Sequence, residues 1–538
     1  MEKPKYGGVI TIALGEAMRG FDMDVTGRAD LMHNTNDEPL VGDWTRSGAG
    51  TGDVDFRRST TTPFNVTIMV PNLLESYELP DKETIIANVR PGIHWENKFP
   101  TNGRELTAED IAFSIDRLWF LPTSYGCTFF GPENKPQTIE VVDKHTVKFT
   151  IIPPNQDQMF ANSFDWNPIF AKDNIEHWGD QTDWRNTIST GPYILTDVVP
   201  GSSYTMERMP NYWRKAPLYP EDTMPYPDGV KFLVIPDLST RMAALRTGKI
   251  DWLTNVVYDD AVSLWSTNPE LKWAKDMQPV PAGIHMRADN PDLPWFDKTV
   301  RHALQMAVNR EEIRDDLYNG EAVIYQWPIM PITAWGKAVV PFEDLPAATQ
   351  DLFKYNPTGA KALLAEAGYP SGFKAKVVTR QKDVDLLLVI KEYWADIGVD
   401  LDIDVKETGV YWSIVFARSH EEMVAFDAAG THITTFDQWG PSAYQNLTMI
   451  VEPETVEGYK TAYANWLNWP AIEELWQGLT PFVLDYAATV APPAPYMYTF
   501  WQPWVKDYNG EFSVGSWNRY DFAEYIWIDQ ELKDSLQQ

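Results

Sequence analysis

Two periodicities alternate along this chain. GVITIAL (8–14) reads as a strand, and ETIIANVRPGIHW (83–95) alternates like a strand entering a turn at Pro91-Gly92. Directly after it the pattern changes. Thr107 stands at an N-cap with Asp110 three residues on, the spacing of a capping box, and Leu106 and Ile111 are placed as a hydrophobic staple. Ile111, Ile115, Leu118 and Trp119 then share one helical face. Strand, loop and capped helix are firmly specified here, with no catalytic residue attached.

The same construction recurs. VVDKHTVKFTI (141–151) predicts two short strands turning at Asp143-Lys144, and 191–213 a hairpin turning at Pro200-Gly201. GVKFLVIPD is a strand, followed by a short helix from near Ser239 to Gly248. In the middle of the chain, Asp297 caps a helix with a stripe of Val300, Ala303, Leu304, Ala307 and Val308; Asn309 caps a second one, closed by Gly320. Asn356 and Pro357 open a helix striped by Ala360, Leu363, Leu364 and Ala367 and ended by Gly368. A helix ending at Gly398 leads into VDLDIDV (399–405), where Val399, Leu401, Ile403 and Val405 face one way and Asp400, Asp402 and Asp404 the other. Helix, tight turn, half-buried strand is α/β construction.

Composition narrows the function. At 538 residues the chain is too long for one core, so two or three domains are expected. No apolar run reaches 18 residues, so no helix is expected to span a membrane. With 45 basic and 76 acidic residues the net charge is −31, which repels phosphate backbones and anionic lipids and argues against nucleic acid as partner. One cysteine, Cys127, allows neither an internal disulfide nor a Cys-based metal site. The start MEKPKYGG reads as a polar tether left after a signal or lipoprotein leader. The abundance of aromatics (23 Trp, 24 Tyr, 24 Phe) leaves some rings for a cleft, since Trp is rarely fully interior.

Chemistry is sparse. SHEEM, at His420-Glu421, lacks the second histidine of a zincin helix, and no nucleophile elbow or Walker loop appears. Gly48, Gly50 and Gly52 precede no helical pattern and read as a loop within 43–65. The Asp400/Asp402/Asp404 row lacks the further ligands of a calcium loop, so a solvated strand face is preferred. A dispersed carboxylate pair, as in glycosidases, is the form an enzyme would take here.

The segments together resemble the family of large extracellular solute-binding proteins that serve ABC importers for peptides, nickel chelates and some oligosaccharides. KYGGVITIA is similar to the family's opening strand, and LLESYELPDKETIIANVRPGIHWENKFPTNGRELTAEDIAFSIDRL to its signature region. GPYILTDVVPGSSYTMERMPNYW, DLSTRMAALRTGKID, DKTVRHALQMAVNREEI, NPTGAKALLAEAGYPSGF and WADIGVDLDIDVKE follow in family order. The resemblance implies an α/β, two-lobed periplasmic-binding-protein type II fold. Lobe 1 is expected over 1–280, with an extra subdomain about 45–185, lobe 2 over 281–495, and a return to lobe 1 over 496–538. Hinge closure on a ligand would then signal to a membrane permease. Binding without catalysis, no cofactor, no metal, an extracytoplasmic location and a monomer are expected.

The ligand is an oligopeptide-like solute on this reading. Peptide-binding members hold the amino group with an Asp in a Gly-Trp-x-x-Asp-x-x-Asp-Pro loop; here GTHITTFDQWGP puts Asp437 at that position, with Gly440 in place of the second acid. Trp439 in the same loop is expected to line the cleft. Where dipeptide-binding members carry an Arg near a helix start, this chain has Asp383 to Asp385, which argues against free dipeptides. The helical span after IEELWQGL looks shorter than the family's. The alternatives are an oligosaccharide receptor stacking sugars on Trp44, Trp95, Trp412, Trp439 and Trp504, a nickel-chelate receptor using His432, a carbohydrate-active enzyme with a carboxylate pair, and a chaperone-like peptide holder.

Overall fold

The computed structural model describes the whole chain except residues 1, 27–29, 58–65, 128–134, 152–155, 157–158, 278–281, 428–435, 437, 442, 444, 516–519 and 538. The chain forms two compact units: Met1–Asp276 with Met497–Gln538, here the outer unit, and Met277–Tyr496, the middle unit. Among the described residues no helix is long and apolar enough to cross a membrane.

The outer unit is built on a mixed sheet. Its strands run in the order Lys272–Met277, Ala494–Trp501, Trp252–Val256, Val9–Leu14, Gly229–Val234, Ser203–Arg208, Tyr193–Val199. The opening strand lies parallel to Gly229–Val234 and Trp252–Val256, so Ile12 pairs with both Phe232 and Trp252. Alternation puts Ile10 and Ile12 into one apolar core and Ala13 into a second, which the helices Leu238–Arg246 and Tyr258–Thr267 complete on the opposite face. The hairpin turns at Pro200-Gly201 as its sequence predicts, with Gly201 at φ +70°. The following helix starts at Leu238, beside the expected Ser239, because Asp237 caps it, accepting the Thr240 N–H at 2.7 Å.

A four-stranded antiparallel sheet, Leu74–Glu78, Thr84–Val89, Thr146–Thr150, Thr138–Asp143, carries the helix Ala108–Phe120. Ile111, Ile115, Leu118 and Trp119 are all buried on that helix. Asp110 accepts the Thr107 N–H at 3.0 Å and is itself fully buried. Its carboxylate also takes both Arg104 terminal nitrogens, at 2.8 and 2.6 Å, and the Trp95 indole N–H at 3.4 Å. One cap residue thus ties together loop, helix and the buried Trp95, which explains so firm a local pattern without chemistry.

The middle unit has a five-stranded sheet ordered Val399–Val405, Phe373–Thr379, Met423–Asp427, Ala282–Met286, Thr489–Val490. The first three are parallel to one another; Ala282–Met286 is antiparallel to its neighbours. Asp297 and Asn356 cap their helices through side-chain oxygens, at 2.8 Å in each case. The stripe Val300, Ala303, Leu304, Ala307 and Val308 is wholly buried. The helix predicted after Asn309 is shorter in α form: Arg310–Glu312 widens into a π-helical turn over Ile313–Leu317. Val405 is exposed, since the strand's last residue runs past the apolar cover that buries Val399 and Leu401. Asp404 pairs with Lys376 and Lys406 at 2.9 and 2.8 Å, and no group of side chains among the described residues could hold a metal ion.

Candidate ligand site

In open α/β sheets, ligands bind at the carboxyl ends of the parallel strands, where connecting loops converge. The middle unit presents such an end. The strand Phe373–Thr379 delivers Arg380, and the helix Thr408–Ala417, which follows the strand Val399–Val405, delivers Tyr411 and Trp412. The Arg380 guanidinium carbon lies 4.7 Å from the Tyr411 ring centre and 5.2 Å from that of Trp412, within cation–π range. Trp412 is half-buried. It stacks on Phe416 at 5.3 Å and meets the edge of Phe426 at 6.0 Å. Tyr411 is fixed beneath by its hydroxyl, which donates to the Ala425 carbonyl at 2.7 Å.

Arg380 is the residue that the sequence reading passed over, and it changes the charge there. Asp383 is buried, with Arg380 Nε at 3.8 Å and Lys382 Nζ at 3.5 Å. Asp385 points to solvent. The acidic patch expected from Asp383 to Asp385 is therefore offset in part, at Asp383, by Arg380 and Lys382. An Arg placed at the end of a parallel strand, three residues before an acid, was the available signal.

On the same sheet face, His285 Nδ1 lies 3.2 Å from the Thr489 hydroxyl, and its ring stands 6.2 Å from Phe426. Among the described residues, His285, Trp327, Gln438, Trp439, Thr448 and Tyr486 border a gap of about 10 Å³, about the room of one water. Trp439 is 2% exposed, packed edge-on against Trp476 at 5.1 Å and Phe436 at 5.9 Å. A Cβ on Gly440 would come within 3.0 Å of the Tyr459 ring, so Tyr459 occupies the room a side chain at 440 would need. Asp437 and His432 lie outside the described residues.

The remaining tryptophans are in the outer unit. Trp44 is buried and stacked on Tyr525, with ring centres 4.6 Å apart. Trp504 is buried and donates its indole N–H to Asp251 at 2.7 Å. Asp251 also accepts the Thr11 N–H at 2.7 Å and faces Lys533 Nζ at 3.1 Å, which joins the opening strand to the C-terminal helix. Of the tryptophans read as stacking surfaces, only Trp412 keeps part of its ring open.

A model of the family described as bacterial extracellular solute-binding proteins, family 5 Middle, matches residues 69–450. The chain belongs to this family. Among its curated relatives, the dipeptide-binding protein of Escherichia coli is 27% identical over 389 residues, 66% of this chain and 66% of the relative. Di/tripeptide-binding protein 1 of Pseudomonas aeruginosa is 25% identical over 452 residues, 76% of this chain and 79% of the relative. The solved oligopeptide-binding protein AppA of Bacillus subtilis, in complex with a nonapeptide, has the same fold, with a TM-score of 0.70 at 19% identity over 98% of this chain and 100% of that one. Family 5 members are two-lobed, and this solute-binding protein shares that architecture.

Proposed function

We propose that this solute-binding protein captures an oligopeptide-like solute outside the cytoplasm and presents it to the permease of an ABC importer. The observation that carries the reading is the Arg380–Tyr411–Trp412 platform at the carboxyl end of the parallel strands. It offers a cation and a partly open indole side by side, suited to a polar main chain bearing apolar side chains. The names of the two curated relatives support the ligand class. Asp437 fits an amine-binding role through the family loop it sits in. The protein acts by binding and release and leaves the solute unchanged.

The test is a thermal-shift screen of mixed tri- to hexapeptides against β-linked oligosaccharides. A ligand at about 100 times its Kd adds roughly 2.7 kcal/mol of stability. Stabilisation by peptides alone supports the reading. Stabilisation by sugars alone would make Trp412 a stacking surface for carbohydrate and remove the assigned role of Asp437.

A further inference from the structure

The four-stranded sheet of the outer unit ends on one side at the strand Thr138–Asp143, which among the described residues pairs only with Thr146–Thr150. Thr138, Glu140, Val141, Val142 and Asp143 are exposed, Val141 by 40% and Val142 by 54%. The pairing holds one register from Thr138 to Val141 and shifts before Asp143. A strand edge carries backbone N–H and C=O groups without a ladder partner, and proteins commonly blunt it with proline, lysine or a cover. TIEVVD contains neither proline nor lysine, and no described strand lies on its outer side. Its charges are acidic, at Glu140 and Asp143.

The end of this strand borders a groove of about 500 Å³, lined also by the start of the helix Ala108–Phe120 and by the helix Lys172–Trp178. Val141 is the one aliphatic side chain in the lining, so the groove lacks the apolar walls of a small-molecule pocket. Three cations line it, and each is already held. Arg104 bridges Asp110 and Asp173, donating from Nε to Asp173 at 2.9 Å; Lys144 makes a close contact with Glu105; Lys172 stands 3.7 Å from Glu109 and 3.8 Å from Glu176. His145, 3.2 Å from Glu105, adds charge only when protonated. With Asp143 the lining carries five carboxylates against the three cations, an excess of two. Asp143 accepts the His145 N–H at 2.9 Å and has no cation among the described residues. Glu109 and Glu176, with side chains 66% and 62% exposed, share a single lysine.

The open edge, the exposed valines and the carboxylate excess select the same occupant. An extended segment joins a free edge through main-chain hydrogen bonds and is told apart by its alternate side chains. Lysine or arginine side chains on it meet the carboxylates of the groove, and aliphatic ones cover Val141 and Val142. We propose that the edge Thr138–Asp143 and the groove beside it form a docking surface for an extended, cationic segment of a partner protein. The acids decide which partner is admitted. A second copy of this chain brings the same excess of acid to the contact and a net charge of −31 of its own, so self-pairing along this edge is opposed while a basic segment is drawn in. A metal ion fits less well, because no group of side chains among the described residues could hold one. The surface is built from the outer unit alone and makes no use of Arg380, Tyr411 or Trp412.

The probe is a blocked hexapeptide of alternating lysine and valine, acetylated and amidated at its ends, with the glutamate–valine peptide as its control. Binding to the full chain is followed by calorimetry and by hydrogen exchange, in the parent and in Trp412→Ala, which disables the candidate ligand site. The lysine peptide should slow exchange of the Thr138–Asp143 amides in both proteins, and the glutamate peptide in neither. Val142→Lys, at an exposed position, should weaken binding of the lysine peptide to Trp412→Ala about 10-fold by blunting the edge and repelling the probe. Glu109→Gln with Glu176→Gln should weaken it about 3-fold or more through the charge alone. No binding, or unchanged exchange over Thr138–Asp143 with the lysine peptide bound, overturns the proposal; so does binding that is wholly lost in Trp412→Ala, which places the peptide in the ligand site only. Equal protection by the glutamate peptide, or full affinity in either variant, overturns it as well.

Discussion

Arg380 and Asp383 offer a quantitative test of the candidate ligand site. Their closest approach is 3.8 Å, with side chains 16% and 7% exposed. At an effective dielectric of about 20, charges at that distance attract by about 4 kcal/mol, and the cost of stripping both of water offsets a large part of it. A coupling of about 1–3 kcal/mol remains. Removing the guanidinium also removes its contacts with Tyr411 and Trp412, worth about 0.5–2 kcal/mol each. Arg380→Ala should therefore destabilise the middle unit by about 2–4 kcal/mol and Asp383→Ala by about 1–3 kcal/mol, with the double variant less destabilised than the sum of the two. Urea unfolding followed by tryptophan fluorescence reads all three. Additivity within about 0.5 kcal/mol would refute the offset of the acidic patch at Asp383.

Other outcomes follow from single contacts. Asp251→Ala should cost about 3–5 kcal/mol, because it strands Lys533, the Trp504 indole and the Thr11 N–H together; a loss below about 1 kcal/mol in denaturant titration would show that water replaces the carboxylate. Gly440→Ala brings a Cβ within 3.0 Å of Tyr459 and should cost about 1–3 kcal/mol by overpacking, read as a lower midpoint in the same titration. Asp437→Ala should weaken peptide binding at least about 10-fold by calorimetry if the carboxylate pairs with the ligand amine, and unchanged affinity would remove it from the site.

Local pattern makes most of the scaffold legible in the sequence. The cap at Asn356, the proline after it and Gly368, at φ +92°, announce one helix from both ends within a dozen residues. What escaped was set by non-local packing. Trp44 owes its burial to Tyr525, at the other end of the chain, and no local pattern at Trp44 reports that partner. Trp504 is buried because Asp251 can use its N–H. The charge around Asp383 is likewise set by the fold: the letters give three consecutive side chains, whereas the helix turns Asp385 outward and brings Arg380 back. Residue counts could suggest an aromatic cleft, but only the strand order identifies the sheet end where Trp412 stands.

The two units should respond to pH with opposite sign. In the middle unit, His420 is buried, donates from Nε2 to the Leu447 carbonyl at 2.8 Å, and has no partner for Nδ1 among the described residues. Burial lowers its pKa to about 4 from an ordinary 6.5. The folded unit thus prefers the neutral ring; the resulting stability is complete above about 6.5 and is lost as pH falls toward about 4, a change of about 3 kcal/mol. In the outer unit, Glu524 is pushed up to about 7, chiefly by burial, so its contribution is complete below an ordinary 4.5 and is lost as pH rises through about 7. Acid therefore weakens the middle unit through His420, and base weakens the outer unit through Glu524. Calorimetry should show the middle unit's transition moving down as pH falls to about 4.5 and the outer unit's moving down as pH rises to about 8, with Trp394 and Trp252 buried in the respective cores. His420→Gln should remove the acid-side loss and leave the alkaline side alone. If one variant flattened both limbs, the units would not be unfolding separately, and the division of the pH response between them would fail.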